Sequence, residues 1–338
     1  MKALVFDQVG PPLDVLELRD VPLPPRASGD VLVKISVASI NPGDFLFIQG
    51  LYPPPKIPEL PQQVAGTGGS VGVVTDSGGA EALPPGTPVF FSYLNGWAEY
   101  AAVPAQWLIP ISPRFGATKA AQLGNIITAW DLLEMSGVRR GQWLAVTAAN
   151  SSVASMVTQF ARHLEVRVLC IVRRAQPDLD LREMGASAIL ELDGLDMPID
   201  EAVANAIGHA PIDAVVDCVG GPLLSALVRS AGMGAQIVIY GGFSPERFEL
   251  HNFDLLLKAA DIRSYAYRYF FDPPPPQDRP RLEQIMEMAA RDDFRVRVGG
   301  LHPVNDFRVA ISDTIERPER GKHYFELADS VRSTSFEC

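Results

Sequence analysis

The stretch Leu144-Ala-Val-Thr-Ala-Ala-Asn-Ser-Ser-Val-Ala-Ser-Met-Val-Thr-Gln-Phe-Ala-Arg162 constrains the fold more than any other part of the chain. It reads as a buried apolar strand, a turn of small residues, and a helix with apolar positions at Val153, Met156, Val157, Phe160 and Ala161. Such a βα unit opens a nucleotide-binding domain: the turn brings backbone N–H groups to the positive end of a helix, where a phosphate can sit. The turn contains no glycine where the usual fingerprint has three. Taken alone, the stretch fits an ordinary βα unit of a parallel sheet as well as a dinucleotide site.

Its surroundings extend the pattern. From about residue 119, helical patterns (120–136, 152–164, 221–231) alternate with apolar strands (143–147, 166–172, 188–190, 214–217, 236–240, 262–266). That alternation predicts a doubly wound parallel sheet. Residues 1 to about 115 differ: short β-branched runs at 2–6, 30–39, 69–75, 88–91 and 97–103 sit between Pro- and Gly-rich turns, an all-β module. An aromatic run (Tyr267 to Phe271), a Pro273–Pro276 segment expected as an exposed spacer, a helix at 281–291 and a β-containing tail follow. The expected organisation is a β module of residues 1–118 completed by 267–338, with a nucleotide-binding domain of 119–266 and a ligand cleft between the two lobes.

At 338 residues and 47% hydrophobic content the chain can bury a large core. A net charge of −11 argues against a nucleic-acid surface and against anionic membranes. No apolar run approaches the roughly 20 residues that span a bilayer, and the N-terminus opens on a strand pattern without a leader. Cys170, Cys218 and Cys338 have neither disulfide-framework nor metal-ligand spacing, and the five histidines form no HxxxH or HxH pair. No metal is expected, and the expected location is the cytoplasm.

Several residues stand out. Arg173 and Arg174 follow the second strand of the alternating region, where an acidic residue would hold ribose hydroxyls and an arginine can pair with a 2′-phosphate; a solvated strand end is the plainer reading. Asp217-Cys-Val-Gly-Gly221 and Tyr240-Gly-Gly-Phe243 end two later strands, where glycine lets backbone approach a flat ligand or simply makes a turn. In the β module, Asn41 and Asp44 suit a turn, Tyr52 lies beside prolines, and Trp97 could occupy the core of a hairpin.

Together these residues resemble the zinc-independent medium-chain dehydrogenase/reductase family, and within it the 2-enoyl thioester reductases. Asn41-Pro-Gly-Asp44 with Ile48-Gln-Gly-Leu-Tyr52-Pro is similar to the first-lobe motif of that branch, and Gly96-Trp97 to a cleft-lining segment. Ala121-Gln-Leu-Gly-Asn125 with Thr128 resembles its entry into the cofactor domain, and Ala148-Ala-Asn-Ser-Ser-Val153 its phosphate turn. Tyr240-Gly-Gly-Phe-Ser244 is similar to a later loop. In place of the Gly-His-Glu motif of zinc-dependent members stands Val64-Ala-Gly-Thr-Gly68, with no thiolate or imidazole.

The resemblance implies a Rossmann-type doubly wound sheet plus a GroES-like, mainly-β catalytic domain. It implies NADPH as cofactor, held by Thr128, Asn150, Ser151, Ser152, Val153, Arg173, Arg174, Cys218, Val219, Tyr240, Gly241 and Gly242. The catalytic set it implies is Tyr52, Trp97 and Asn41. Tyr52 would hydrogen-bond the substrate carbonyl or supply the α-proton, from a pKa near the ordinary 10. Trp97 would shape the cleft wall, and Asn41 would position the nicotinamide end. The expected substrate is a small molecule with an activated double bond: an enoyl thioester, an enone or a quinone. Alternatives are a quinone or 2-alkenal reductase and, from another class, a non-catalytic nucleotide-binding relative. Ser152, where the branch carries glycine, places a Cβ or a hydroxyl donor toward the pyrophosphate. Relatives of this kind pair through an edge strand, so a homodimer is expected.

Overall fold

The computed structural model describes residues 1–327 other than Pro55 and Pro113. Cys338 and positions 328–338 of the expected closing segment lie outside the described residues. The chain begins β1 (Lys2–Phe6), α1 (Pro12–Val15), β2 (Glu17–Asp20), β3 (Asp30–Ser39), α2 (Pro42–Ile48), β4 (Gln63–Val64), β5 (Ser70–Asp76), β6 (Pro88–Phe91), β7 (Tyr100–Pro104) and β8 (Ile109–Pro110). It continues α3 (Ala117–Ala120), α4 (Leu123–Ser136), β9 (Trp143–Val146), α5 (Ser152–His163), β10 (Arg167–Val172), β11 (Ala186–Glu191), α6 (Ile199–Ala206), β12 (Ile212–Asp217), α7 (Gly221–Ser230), β13 (Ala231–Ile239), α8 (Asn252–Leu256) and β14 (Asp261–Ser264). It closes with α9 (Arg279–Ala289), β15 (Val298–Pro303), α10 (Phe307–Glu316) and β16 (Lys322–Glu326).

The described residues divide into two compact units, 1–124 with 268–327, and 125–267. Residues 119–124 therefore belong with the β unit, where the sequence reading had assigned them to the nucleotide-binding one. The reason is local: Lys119 Nζ donates to the carbonyls of Ala289 and Phe294 at 3.0 and 2.8 Å, and Gln122 Nε2 donates to the Tyr324 hydroxyl at 2.6 Å.

In unit 125–267 the sheet order is β11-β10-β9-β12-β13-β14, parallel throughout. β9 is the first strand and sits mid-sheet, so the order reverses beside it and the C-terminal ends of β9, β10 and β12 flank a topological switch point. Ala145, Ile171, Val215, Leu224 and Ile237 pack into one apolar cluster. α6 escaped the sequence reading because only Ala202 and Val203 of its eight residues are buried, too short a stripe to show a period.

The β unit carries a seven-stranded sheet ordered β15-β16-β3-β5-β6-β8, with β7 also paired to β3, and a small sheet β2-β1-β4. Phe6, Val33, Phe47, Trp97 and Phe325 belong to its core. α10 was read as part of a β-containing tail, since Val309, Ile311, Thr314 and Ile315 are β-branched. Burial of Phe307, Ala310 and Ile311, at i, i+3 and i+4, overrides that preference. The expected strand at 97–103 starts at Tyr100. The prolines are not a free spacer: Pro273 to Pro275 are half-buried, and Pro274 and Pro275 line an apolar groove with Leu108 and Met286.

Candidate active site

In unit 125–267 the glycine-free turn is built without glycine's conformational help. Ala148 adopts φ +46°, in the left-handed region that usually selects glycine, and the Ser151 N–H closes the turn on its carbonyl at 2.8 Å. Ser151 caps α5, its hydroxyl accepting the Ala154 N–H at 3.4 Å. Ser152 and Val153 open the helix, and their N–H groups are among those with no intrahelical acceptor. Asn150 donates from Nδ2 to the carbonyl of Arg174 at 2.8 Å, tying the turn to the end of β10, while its buried Oδ1 has no partner. Arg174 is paired with Asp193 at 2.9 Å, whereas Arg173 projects exposed. Thr128 lies half-buried on α4.

The two glycine turns are hydrogen-bonded to each other. The N–H groups of Tyr240, Phe243 and Ser244 donate to the carbonyls of Asp217, Cys218 and Val219 at 2.9, 3.1 and 2.8 Å. A Cβ on Gly241 would stand 2.9 Å from that of Cys218, so only glycine fits there. Beside them is an open pocket of about 400 Å³ whose lining includes Val219, Gly220, Gly241, Gly242 and Ser244. Burial, and then the neighbouring Cys218, push the Tyr240 phenol well above the ordinary range; burial likewise raises the Cys218 thiol, to about 11.

Thr147, which no sequence motif marks, and Asp217, which opens the first glycine turn, hold this region together. The Thr147 hydroxyl donates to Asp217 Oδ1 at 2.7 Å and accepts the Cys218 N–H at 3.0 Å. Asp217, fully buried, also accepts the Val219 and Gly220 N–H groups at 3.2 and 2.8 Å. Burial raises its carboxyl, with these donors opposing the shift.

In the β unit, Asn41 caps α2 and Asp44, at N3, reaches back to the Asn41 N–H at 2.8 Å. Asp44 Oδ1 also accepts from the Thr67 and Gly68 N–H groups and the Thr67 hydroxyl, at 2.7, 2.8 and 3.1 Å. Burial still raises this carboxyl. Asn41 Nδ2 donates to Ser39 Oγ at 2.9 Å, and its Oδ1 accepts from Lys322 Nζ at 2.8 Å.

Tyr52 stacks edge-on against Phe270 at 4.8 Å, and a Cβ on Gly43 would stand 2.5 Å from its hydroxyl. Lys56, buried, points its ammonium at the same Phe270 ring, 4.1 Å from the centroid. Burial pulls both Lys56 and Lys322 down to about 8, with Asp44 acting against the shift. Burial, and then the charge of Asp44, push the Tyr52 phenol above the ordinary tyrosine range rather than leaving it near 10.

Trp97 differs from the expectation that it shapes a wall. It is 1% exposed, donates from Nε1 to the Ser39 carbonyl at 3.3 Å, and packs edge-on against Phe325. It is a core residue that holds up the end of β3. Phe270 and Lys322 lie distant in sequence from the motif that contains Asn41, and Lys56 follows it with no spacing that marks it; the Asn41-x-x-Asp44 capping pattern is legible.

The alcohol dehydrogenase GroES-like domain family matches residues 27–113, and the zinc-binding dehydrogenase family matches residues 152–288. The mouse protein called mitochondrial enoyl-[acyl-carrier-protein] reductase is 30% identical over 78% of this chain and 72% of its own. The human protein of that name is 28% identical over 94% of this chain and 86% of its own. The Escherichia coli quinone oxidoreductase structure complexed with NADPH superimposes with a TM-score of 0.81, at 18% identity, over 96% of this chain and all of that one.

Proposed function

From the premise that this chain belongs to the medium-chain dehydrogenase/reductase superfamily, among its enoyl and quinone reductase branches, we propose that it is an NADPH-dependent reductase of an activated carbon–carbon double bond, with a trans-2-enoyl thioester as substrate. The observation that carries this reading is the Tyr52 hydroxyl, seated against Gly43 near a buried lysine and kept protonated by its surroundings.

The residues of unit 125–267 suit NADPH. The Ser152 and Val153 N–H groups and the Ser152 hydroxyl offer donors to the pyrophosphate, so the serine substitutes a side-chain donor for glycine's open backbone. The unused Asn150 Oδ1 is an acceptor at the same turn. Arg173 offers its guanidinium to the 2′-phosphate more freely than Arg174, which Asp193 already engages. The Cys218–Val219 and Tyr240–Gly242 turns, with Thr128, would hold the nicotinamide end. Bound NADPH supplies a hydride to the β-carbon of the alkene. As negative charge grows on the substrate's carbonyl oxygen, Tyr52 donates a hydrogen bond to it. A phenol pushed upward keeps its proton at neutral pH, so Tyr52 acts as the donor to that oxygen or to the α-carbon. Asn41, fixed by Ser39 and Lys322, positions the reacting end. Cys170 and Cys218, free and buried, suit a reducing compartment such as the cytoplasm, although the relatives carry mitochondrial names.

Turnover with NADPH of a crotonyl thioester, a naphthoquinone and a 2-alkenal tests the substrate class. The thioester should be preferred, and Tyr52→Phe should lower its kcat roughly a hundredfold or more while NADPH binding is kept. Preference for the quinone would replace the thioester reading, and NADPH binding without turnover of any of the three would favour the non-catalytic relative.

A further inference from the structure

We propose that His302, Asp313 and His323 form a binding site for one divalent transition-metal ion of the zinc type, separate from the redox chemistry. Three elements bring the residues together. β15 and β16 pair in parallel, with His302 on one and His323 on the other, and Asp313 comes from α10. One ligand atom from each of the three lies within 4.8 Å of the others. His302 Nε2 and His323 Nδ1 are 3.0 Å apart, and two ligands held about 2.0–2.1 Å from one ion at tetrahedral angles stand about 3.3 Å apart, so the pair need only spread by a few tenths of an ångström.

The backbone makes room for this pair. His323 sits opposite Gly300, and a Cβ on Gly300 would lie 2.5 Å from His302 Nε2 and 3.0 Å from His323 Nδ1. A Cβ on Gly299 would lie 2.9 Å from His323 Nε2. Neither glycine has a positive φ, so the conformation does not require glycine; at Gly300 the space for the imidazoles does, and at Gly299 the Gly321 carbonyl, 2.8 Å away, does so first.

The facing pair can serve one ion. His323 is 1% exposed, and its Nε2 is buried without a partner. With an ion on Nδ1 that Nε2 would carry the ring proton, so the ion acts through the facing nitrogens alone. There it uses both lone pairs, where a hydrogen bond uses one. Asp313 engages Arg317 at 3.1 Å through Oδ1, which leaves its second oxygen for the ion. Two imidazoles and one carboxylate suit zinc, cobalt, nickel or copper rather than calcium or magnesium, and leave a fourth position for water. The ion would brace β15, the edge strand of its sheet, to β16 and α10.

The test uses the tag-free full-length protein, stripped with chelator and titrated with Zn²⁺ by calorimetry and with Co²⁺ by visible absorption. The expected result is one ion per chain, a cobalt spectrum of the four-coordinate type, and a melting temperature raised by Zn²⁺. His302→Ala and Asp313→Asn, at less buried positions than His323, should each weaken zinc binding by roughly tenfold or more and abolish the thermal shift. Absence of stoichiometric binding, or binding unchanged in both variants, would overturn the proposal and leave the histidines as a hydrogen-bonded pair. Neither readout depends on turnover, so its failure is distinct from failure of the reductase reading.

Discussion

Ala148 shows how much one residue can be asked to do. At φ +46° an L-residue carries a cost of about 1–2 kcal/mol, while replacing it with glycine loosens the unfolded chain by about 0.4–1 kcal/mol. Ala148→Gly should therefore raise stability slightly, by up to about 1 kcal/mol, and leave NADPH affinity intact. Denaturant unfolding with a parallel fluorescence titration would show it, and a clear loss of stability would mean that the alanine methyl packs productively. The glycine-free turn looked in the sequence like a possible defect. In the structure Ala148 takes the left-handed conformation that usually selects glycine, and Ser151 caps the helix. At the same scale Trp97 shows the limit of motif transfer. An aromatic side chain beside a glycine can face a cleft or a core, and only the packing of Gly66, Ser39 and Phe325 around it shows that it faces the core.

At the scale of elements, the ends of β9, β10 and β12 would carry the cofactor on the proposed reading, because parallel strands deliver their C-terminal turns to one edge. The Asn150–Arg174 bond joins the first two of those turns, and Thr147–Asp217 joins the first to the third. Arg173 lies next to that junction and, on the proposed reading, contacts only the 2′-phosphate. Arg173→Ala should weaken NADPH by roughly tenfold or more, the worth of a charge-assisted hydrogen bond, and leave NADH unchanged. Equal loss for both cofactors would place Arg173 elsewhere. Elements were legible where their periods were long and apolar, as in α5 and β12. They were hidden where burial was thin, as in α6, or where β-branched residues sat on a helix, as in α10.

At the scale of the whole molecule, the six-stranded sheet ends on β14, and nearby α8 leaves Phe253 and Leu256 exposed at 55% and 70%, followed by Leu257 at 66%. An open edge beside apolar side chains invites a second copy. Light scattering should give twice the chain mass, and Leu256→Glu with Leu257→Glu should halve it; a monomeric wild type would remove the proposal. Among the described residues no helix is long and apolar enough to cross a membrane.

Order and spacing of short segments along one dimension carried the two-part architecture and the nucleotide-type unit, because strand and helix periods are local properties. So were the phosphate turn, the two glycine turns and the Asn41–Asp44 cap, each written in consecutive residues. Phe270 beside Tyr52 and Lys56, Lys322 on Asn41, the membership of residues 119–124, and the meeting of His302, Asp313 and His323 were decided only by tertiary structure. Each joins residues far apart in sequence, and nothing in local spacing records which of many distant side chains a folded chain brings within 5 Å.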